Sequence, residues 1–242
     1  MKIKIGYLYY DLLNLYGENG NIKILKNTLE SMNIKVEIHF LTVNDKINFN
    51  DFDFIYIGSG TEENQKIALK DLLKYKEQIK DYIENDKFLL ATGNSIDLFG
   101  KYISDVNNKK TKCLNIFNYR VKHENFRLID ESIFNLVFLD KPVIGFQNQF
   151  SIMQENKHTM FTVVKGIGSS PNSKKEGVLY KNFYGTYLLG PILVRNPYFL
   201  EILLKKIILS KDPNYKFKAF PLKEEKLAYE TFINNFYTDI IK

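Results

Sequence analysis

The stretch richest in chemistry runs from Lys87 to Gly100, where a strand-length apolar run ends at Thr92-Gly93-Asn94-Ser95 and opens into a short helical pattern. A strand that breaks into a helix through small residues forms an elbow. It presents one side chain at the sheet edge and turns backbone N–H groups toward negative charge that develops there. In many enzymes the elbow carries a nucleophile. Here the tip is Gly93 and Asn94, flanked by Thr92 and Ser95, with no Cys nearby. Ser95 has no Gly two places on, and Asn94 and Ser95 suit the start of a helix as caps. Asp97 falls in the first helical turn, where a carboxylate complements the helix dipole. His39, His123 and His158 all lie in segments not expected to reach the elbow. A second small-residue turn, Gly58-Ser59-Gly60-Thr61, follows the apolar run Phe54 to Ile57. Its glycines permit close backbone approach. Gly58, Ser59 and Gly60, with Asn94 and Ser95, are therefore the candidates to bind an oxyanion or a carboxylate or amide oxygen.

The elements that must hold these turns read as an alternation. Lys2 to Tyr9 is a strand with Ile3, Ile5, Tyr7 and Tyr9 on one face, and Asn21 to Met32 is a helix that Asn21 can cap. Strands follow at Lys35 to Leu41 and Phe54 to Ile57, then a helix from Glu62 to about Ile83, then the elbow strand. Short links between strands and helices predict a parallel sheet wrapped on both faces, with ligands beyond the carboxyl ends of the strands. Both turns should face one pocket. After Gly100 the pattern changes to short strands at Cys113 to Val121, Lys141 to Phe146, Met160 to Val164, Gly177 to Tyr180 and Phe183 to Leu188. Asn172 to Gly177 is the most hairpin-like link among them. Pro197 to Leu209 is a helix with Pro at its start, and a last helix runs from about Lys223 to Ile241. No linker or repeat interrupts the 242 residues, so a single domain over 1–242 is expected.

The net charge of +6 comes from 34 basic and 28 acidic residues mixed along the chain, as in Lys223-Glu224-Glu225-Lys226. Such a mixture solvates a surface and does not mark a nucleic-acid site. The lone Cys113 excludes an intramolecular disulfide and an all-cysteine metal site, and suits a reducing compartment. The start of the chain alternates like a strand and lacks a signal-peptide core, and no run reaches the ~18 apolar residues of a membrane span. A cytoplasmic location is expected, with no metal and no cofactor.

Four segments in order carry a resemblance: Leu13-Asn14-Leu15-Tyr16-Gly17-Glu18-Asn19-Gly20-Asn21, Ile57-Gly58-Ser59-Gly60-Thr61-Glu62-Glu63-Asn64-Gln65, Ile144-Gly145-Phe146-Gln147-Asn148-Gln149, and Gly185-Thr186-Tyr187-Leu188-Leu189-Gly190-Pro191-Ile192-Leu193. They resemble the class I glutamine amidotransferases of the cobyric acid synthase type. Within that family the chain most nearly resembles the glutaminase subunits of lipid II isoglutaminyl synthase, which feed ammonia to a Mur-ligase-like partner that amidates peptidoglycan precursors. The resemblance implies an α/β fold, a Rossmann-like three-layer sandwich with a mostly parallel central sheet and an additional antiparallel β portion. It also implies a Mur-ligase-like synthetase as partner and glutamine or a related small ligand in the pocket.

The departures bear on chemistry. Glutaminase action needs a thiolate, a proton-relaying His and oxyanion donors. The family's elbow reads roughly Ile-Cys-Gly-Gly-Tyr-Gln-Leu-Leu-Gly, and registering it on Gly100 puts Gly93 in the place of the Cys. The family's Leu-His-Gly-Pro puts Leu189 in the place of the His. Each position is located by its own flanking motif, and losing one member of such a pair costs nearly as much as losing both. The expectation is a glutaminase fold without glutamine hydrolysis. The Glu62-Glu63 pair, where the family pattern is basic, further disfavours an anionic glutamine. Two other readings stand beside this one: a divergent hydrolase or amidase using Ser95 or Thr92, and a cobyric acid synthase-like module that only binds a small ligand.

Overall fold

The computed structural model describes residues 1–238, and the end of the last expected helix, up to Ile241, lies outside them. The first half of the chain alternates as its periodicity predicts: β1 (Lys2–Leu8), α1 (Asn19–Ser31), β2 (Lys35–Leu41), β3 (Phe54–Ile57), α2 (Glu62–Leu72), α3 (Lys76–Glu84) and β4 (Phe88–Thr92). The second half adds β5 (Tyr102–Ser104), β6 (Lys110–Lys112), β7 (Arg120–Leu136), β8 (Val143–Gln154), β9 (Thr159–Lys165), β10 (Lys175–Tyr180), β11 (Phe183–Thr186) and β12 (Leu188–Leu189). Three helices follow: α4 (Ile192–Arg195), α5 (Pro197–Lys211) and α6 (Lys223–Phe236).

All the described strands form one 12-stranded sheet, ordered β12-β8-β7-β9-β10-β11-β4-β3-β1-β2, with β5 and β6 attached beside β7. The run β2-β1-β3-β4-β11 is parallel. Beyond β11 the main path is antiparallel.

Period-two alternation in the strands sends successive side chains to opposite faces, and each face meets helices. Ile55, Ile57, Leu89 and Ala91 pack with Leu69 and Leu72 of α2 and with Ile79 and Ile83 of α3. Phe54, Tyr56 and Leu90 pack on the other side with Ile22, Leu25 and Leu29 of α1 and Leu200, Leu203 and Leu204 of α5. Burying each Leu, Ile or Phe among these side chains contributes about 2 kcal/mol. The outcome is the expected three-layer sandwich, with β4 and its elbow in the middle of the sheet.

Several local expectations change. The first strand stops at Leu8; Tyr9 takes φ 51°, leaves the face of Ile3, Ile5 and Tyr7, and donates its hydroxyl to Asp71. Asn21 lies inside α1 and caps nothing. Its amide donates to the Tyr56 hydroxyl and to the Gly190 carbonyl, and its oxygen accepts from the Leu193 N–H. The single helix expected to about Ile83 is broken by a 3-10 turn at Leu73–Tyr75. Most of the strand expected from Cys113 is loop, and the 17-residue β7 takes its place further on. Charged residues and a bulge between His123 and Leu128 break the alternation there. The expected hairpin link is shifted as well, because Lys175, Glu176 and Gly177 already belong to β10.

Candidate functional site

The elbow has the geometry its sequence predicts. β4 ends at Thr92, Gly93 adopts φ +59°, and a 3-10 helix runs from Gly93 to Phe99. A left-handed backbone at that tip favours glycine. Gly93 opens onto a cavity of about 180 Å³ that Leu189, Ser59, Gly60 and Asn94 also line, so both turns do face one pocket. The two positions singled out by sequence touch: a Cβ on Gly93 would lie 2.7 Å from Leu189 Cδ2 and 2.3 Å from Ser59 Oγ. An aliphatic side chain fills the space above the elbow where a nucleophile would project.

The turns are also tied to each other. Asn94 Oδ1 accepts from Ser59 Oγ at 3.1 Å and from the Gly60 N–H at 3.2 Å, while its amide donates to the Gly60 carbonyl at 2.8 Å. The Asn94 N–H in turn points to Ser59 Oγ at 3.4 Å. The backbone donors that could form an oxyanion hole are thus engaged within the protein. Of the candidates, Ser59, Gly60 and Asn94 line the cavity, and Gly58 and Ser95 do not. A Cβ on Gly58 would lie 2.3 Å from the Leu13 carbonyl oxygen, which accounts for its glycine by packing. Ser95 caps nothing; its buried hydroxyl donates to the carbonyls of Thr92 and Ile57. The Thr92 hydroxyl donates to Glu18 Oε2 at 2.8 Å and is buried beneath the elbow.

Nothing in its local sequence marks Glu18 as a chemical group. Its carboxylate is fully buried and accepts from the Tyr56 and Thr92 hydroxyls and from the Gly190 N–H. Burial pushes its pKa up to about 7, and those hydrogen bonds oppose the rise. It links the loop after β1 to the ends of β3 and β4 and to the turn that carries Leu189.

Asp97 is more than a partner of the helix dipole. It is wholly buried and accepts from Ser151 Oγ at 2.6 Å, from the Tyr187 hydroxyl at 2.7 Å and from Gln65 Nε2 at 3.3 Å. His123, placed away from the elbow by sequence, reaches it: Nε2 lies 3.6 Å from Asp97 Oδ2. The start of β7 brings His123 beside the elbow helix, a long-range approach that local periodicity does not encode. Arg127, on the same strand, lines the cavity and forms an ion pair with Glu62 at 3.1 Å. Among the described residues, no Cys and no His lines this cavity. Cys113 is buried elsewhere, its thiol pushed up to about 12 mainly by burial.

Residues 4–197 match the family model of the CobB/CobQ-like glutamine amidotransferase domain. The chain belongs to this family. It is similar to a protein of Streptococcus pneumoniae named lipid II isoglutaminyl synthase (glutamine-hydrolyzing) subunit GatD, with 32% identity across 81% of this chain and 76% of that one. The subunit of the same name from Staphylococcus aureus is 29% identical across 96% of both chains. Among solved structures, PurLQS from Thermotoga maritima superposes with a TM-score of 0.57 at 12% identity, covering 86% of this chain and 100% of that one. A structure described as a glutamine amidotransferase superposes at 0.51 with 12% identity, covering 84% and 98%. At those identities the structures support the fold, and the GatD subunits carry the family likeness to the level of sequence. Among the described residues, no helix of this glutamine amidotransferase-like chain is long and apolar enough to cross a membrane.

Proposed function

We propose that this chain serves as the amidotransferase-type subunit of a lipid II isoglutaminyl synthase-like assembly, docking on a Mur-ligase-like synthetase without hydrolysing glutamine itself. The likeness to two GatD subunits over most of the chain supports the assembly. One observation carries the loss of hydrolysis: the side chains of Leu189 and Ser59 occupy the place of any atom that Gly93 could carry toward the cavity. With no thiol or imidazole among the described residues that line the cavity, neither the attack on an amide carbon nor the proton relay to a leaving amine has an agent there. The internal pairing of Asn94, Ser59 and Gly60 further removes the donors that would stabilise a tetrahedral oxyanion. The hydrolase reading gains nothing from Ser95 or Thr92, whose hydroxyls are buried and committed to other partners.

The test is glutamate release from glutamine, measured with the purified chain alone and with the Mur-ligase-like protein of the same genome. The expected result is co-purification of the two proteins and no glutamate above the blank in either case. Glutamate release that the chain itself supports overturns the loss of hydrolysis. Failure of the two proteins to associate overturns the assembly.

A further inference from the structure

A second cavity, of about 380 Å³, lies on the other side of Glu62 and Phe150, which line both hollows. Its walls come from one face of α2, from the β5–β6 hairpin and from β7 and β8. Leu69, Leu98, Ile103, Val106 and Phe150 make much of the lining apolar. A hollow of this size, mainly apolar with a few convergent polar groups, has the character of a small-molecule site.

The polar groups set the sign of its ligand. The two acids at the rim are already engaged: Glu62 pairs with Arg127 at 3.1 Å, and Asp105 Oδ1 accepts from the N–H groups of Asn107 and Lys109 in its own turn. The two lysines, Lys66 and Lys109, form no ion pair among the described residues, so the rim offers uncommitted positive charge. Deeper in, His123 packs against Phe150 with ring centroids 4.1 Å apart and the planes tilted by 51°, and its Nε2 is buried without a hydrogen-bond partner. Asp97 is too far from it, at 3.6 Å, to satisfy that nitrogen. Closed to solvent, that nitrogen offers a ligand no donor or acceptor, and the His123 ring serves the cavity as wall.

We propose that this cavity binds a small organic anion with an aromatic or branched aliphatic body. The body lies against Leu69, Leu98 and Ile103, and the anionic head sits between Lys66 and Lys109. The His123 ring lies along the body. The site is separate from the elbow cavity and holds whether or not glutamine is hydrolysed.

The probe is 1-anilinonaphthalene-8-sulfonate, an aromatic anion, titrated into the folded full chain and followed by fluorescence and by amide resonances. The expected result is one saturable site whose occupancy moves the Val106 and Thr111 resonances, with affinity at least tenfold weaker in K66E/K109E. The uncharged analogue N-phenyl-1-naphthylamine should bind that variant and the native chain alike. Charge reversal at Lys23 and Lys26, which line a different hollow beside α1, should leave sulfonate binding unchanged. No saturable binding overturns the proposal. So does binding that survives K66E/K109E or that moves only resonances away from this cavity.

Discussion

At the scale of single residues, Gly93 and Leu189 behave as one unit. Gly93 needs a left-handed backbone, which costs an L-residue about 1–2 kcal/mol, and a Cβ there would overlap Leu189 Cδ2 and the Ser59 side chain. Overpacking a tight site adds about 1–3 kcal/mol. G93A should therefore lower unfolding stability by about 2–5 kcal/mol. Trimming the neighbour in G93A/L189A should give back part of that cost, so the double variant loses less than the sum of the single ones. Urea unfolding of the four-member cycle measures the coupling, and strict additivity would show that the two side chains do not compete for the same space. The same geometry governs a gain of chemistry: G93C alone has no room and no base, so any glutamate release should require G93C together with L189H. This pairing was legible in sequence because flanking motifs located each position independently. Glu18 was not. Its carboxylate sits in a Gly- and Asn-rich loop that reads as solvated, and only the assembled sheet shows it enclosed by Tyr56, Thr92 and Gly190.

At the scale of elements, the elbow helix ties several parts of the fold together. Asp97 draws together Ser151 from β8, Tyr187 from the turn after β11 and Gln65 from α2. D97A would leave two buried hydroxyls without their acceptor, at a cost of about 1–3 kcal/mol each, and would remove the charge that faces His123. A loss of about 3–5 kcal/mol in urea unfolding is expected. In contrast, E62A breaks an exposed ion pair with Arg127 and should cost no more than about 1 kcal/mol. If the two variants proved equally mild, Asp97 would not be the hub its hydrogen bonds indicate. The strand–helix alternation of the first half was readable because each element buries one face against a sequence neighbour. β7 was not readable: its residues from 124 to 131 are exposed or half-buried, with the charges of Glu124, Arg127, Asp130 and Glu131 among them, and most of its pairing comes from β8 and β9, later in the chain.

At the scale of the whole molecule, two buried carboxylates sit where the parallel and antiparallel halves of the sheet meet. Glu18 joins β3 and β4 to the Gly190 turn, and Glu176 of β10 accepts from the Thr186 hydroxyl and the Tyr187 N–H at the end of β11. Burial raises the pKa of each to about 7 from an ordinary 4.5. The sign follows from proton counting. Between those values the folded chain holds protons that the unfolded chain has released, so stability falls as pH rises through that window and levels off above it. With 1.36 kcal/mol per pKa unit, each carboxylate contributes a fall of roughly 3 kcal/mol. Unfolding midpoints in urea should therefore drop between pH 5 and pH 8 in the native chain. In E18Q, where an amide cannot ionise, the drop should be smaller by about half of the two-carboxylate total, roughly 3 kcal/mol. An E18Q chain whose stability fell as steeply as the native one would mean that Glu18 is already ionised at pH 5 and that its neighbours, not burial, set its charge.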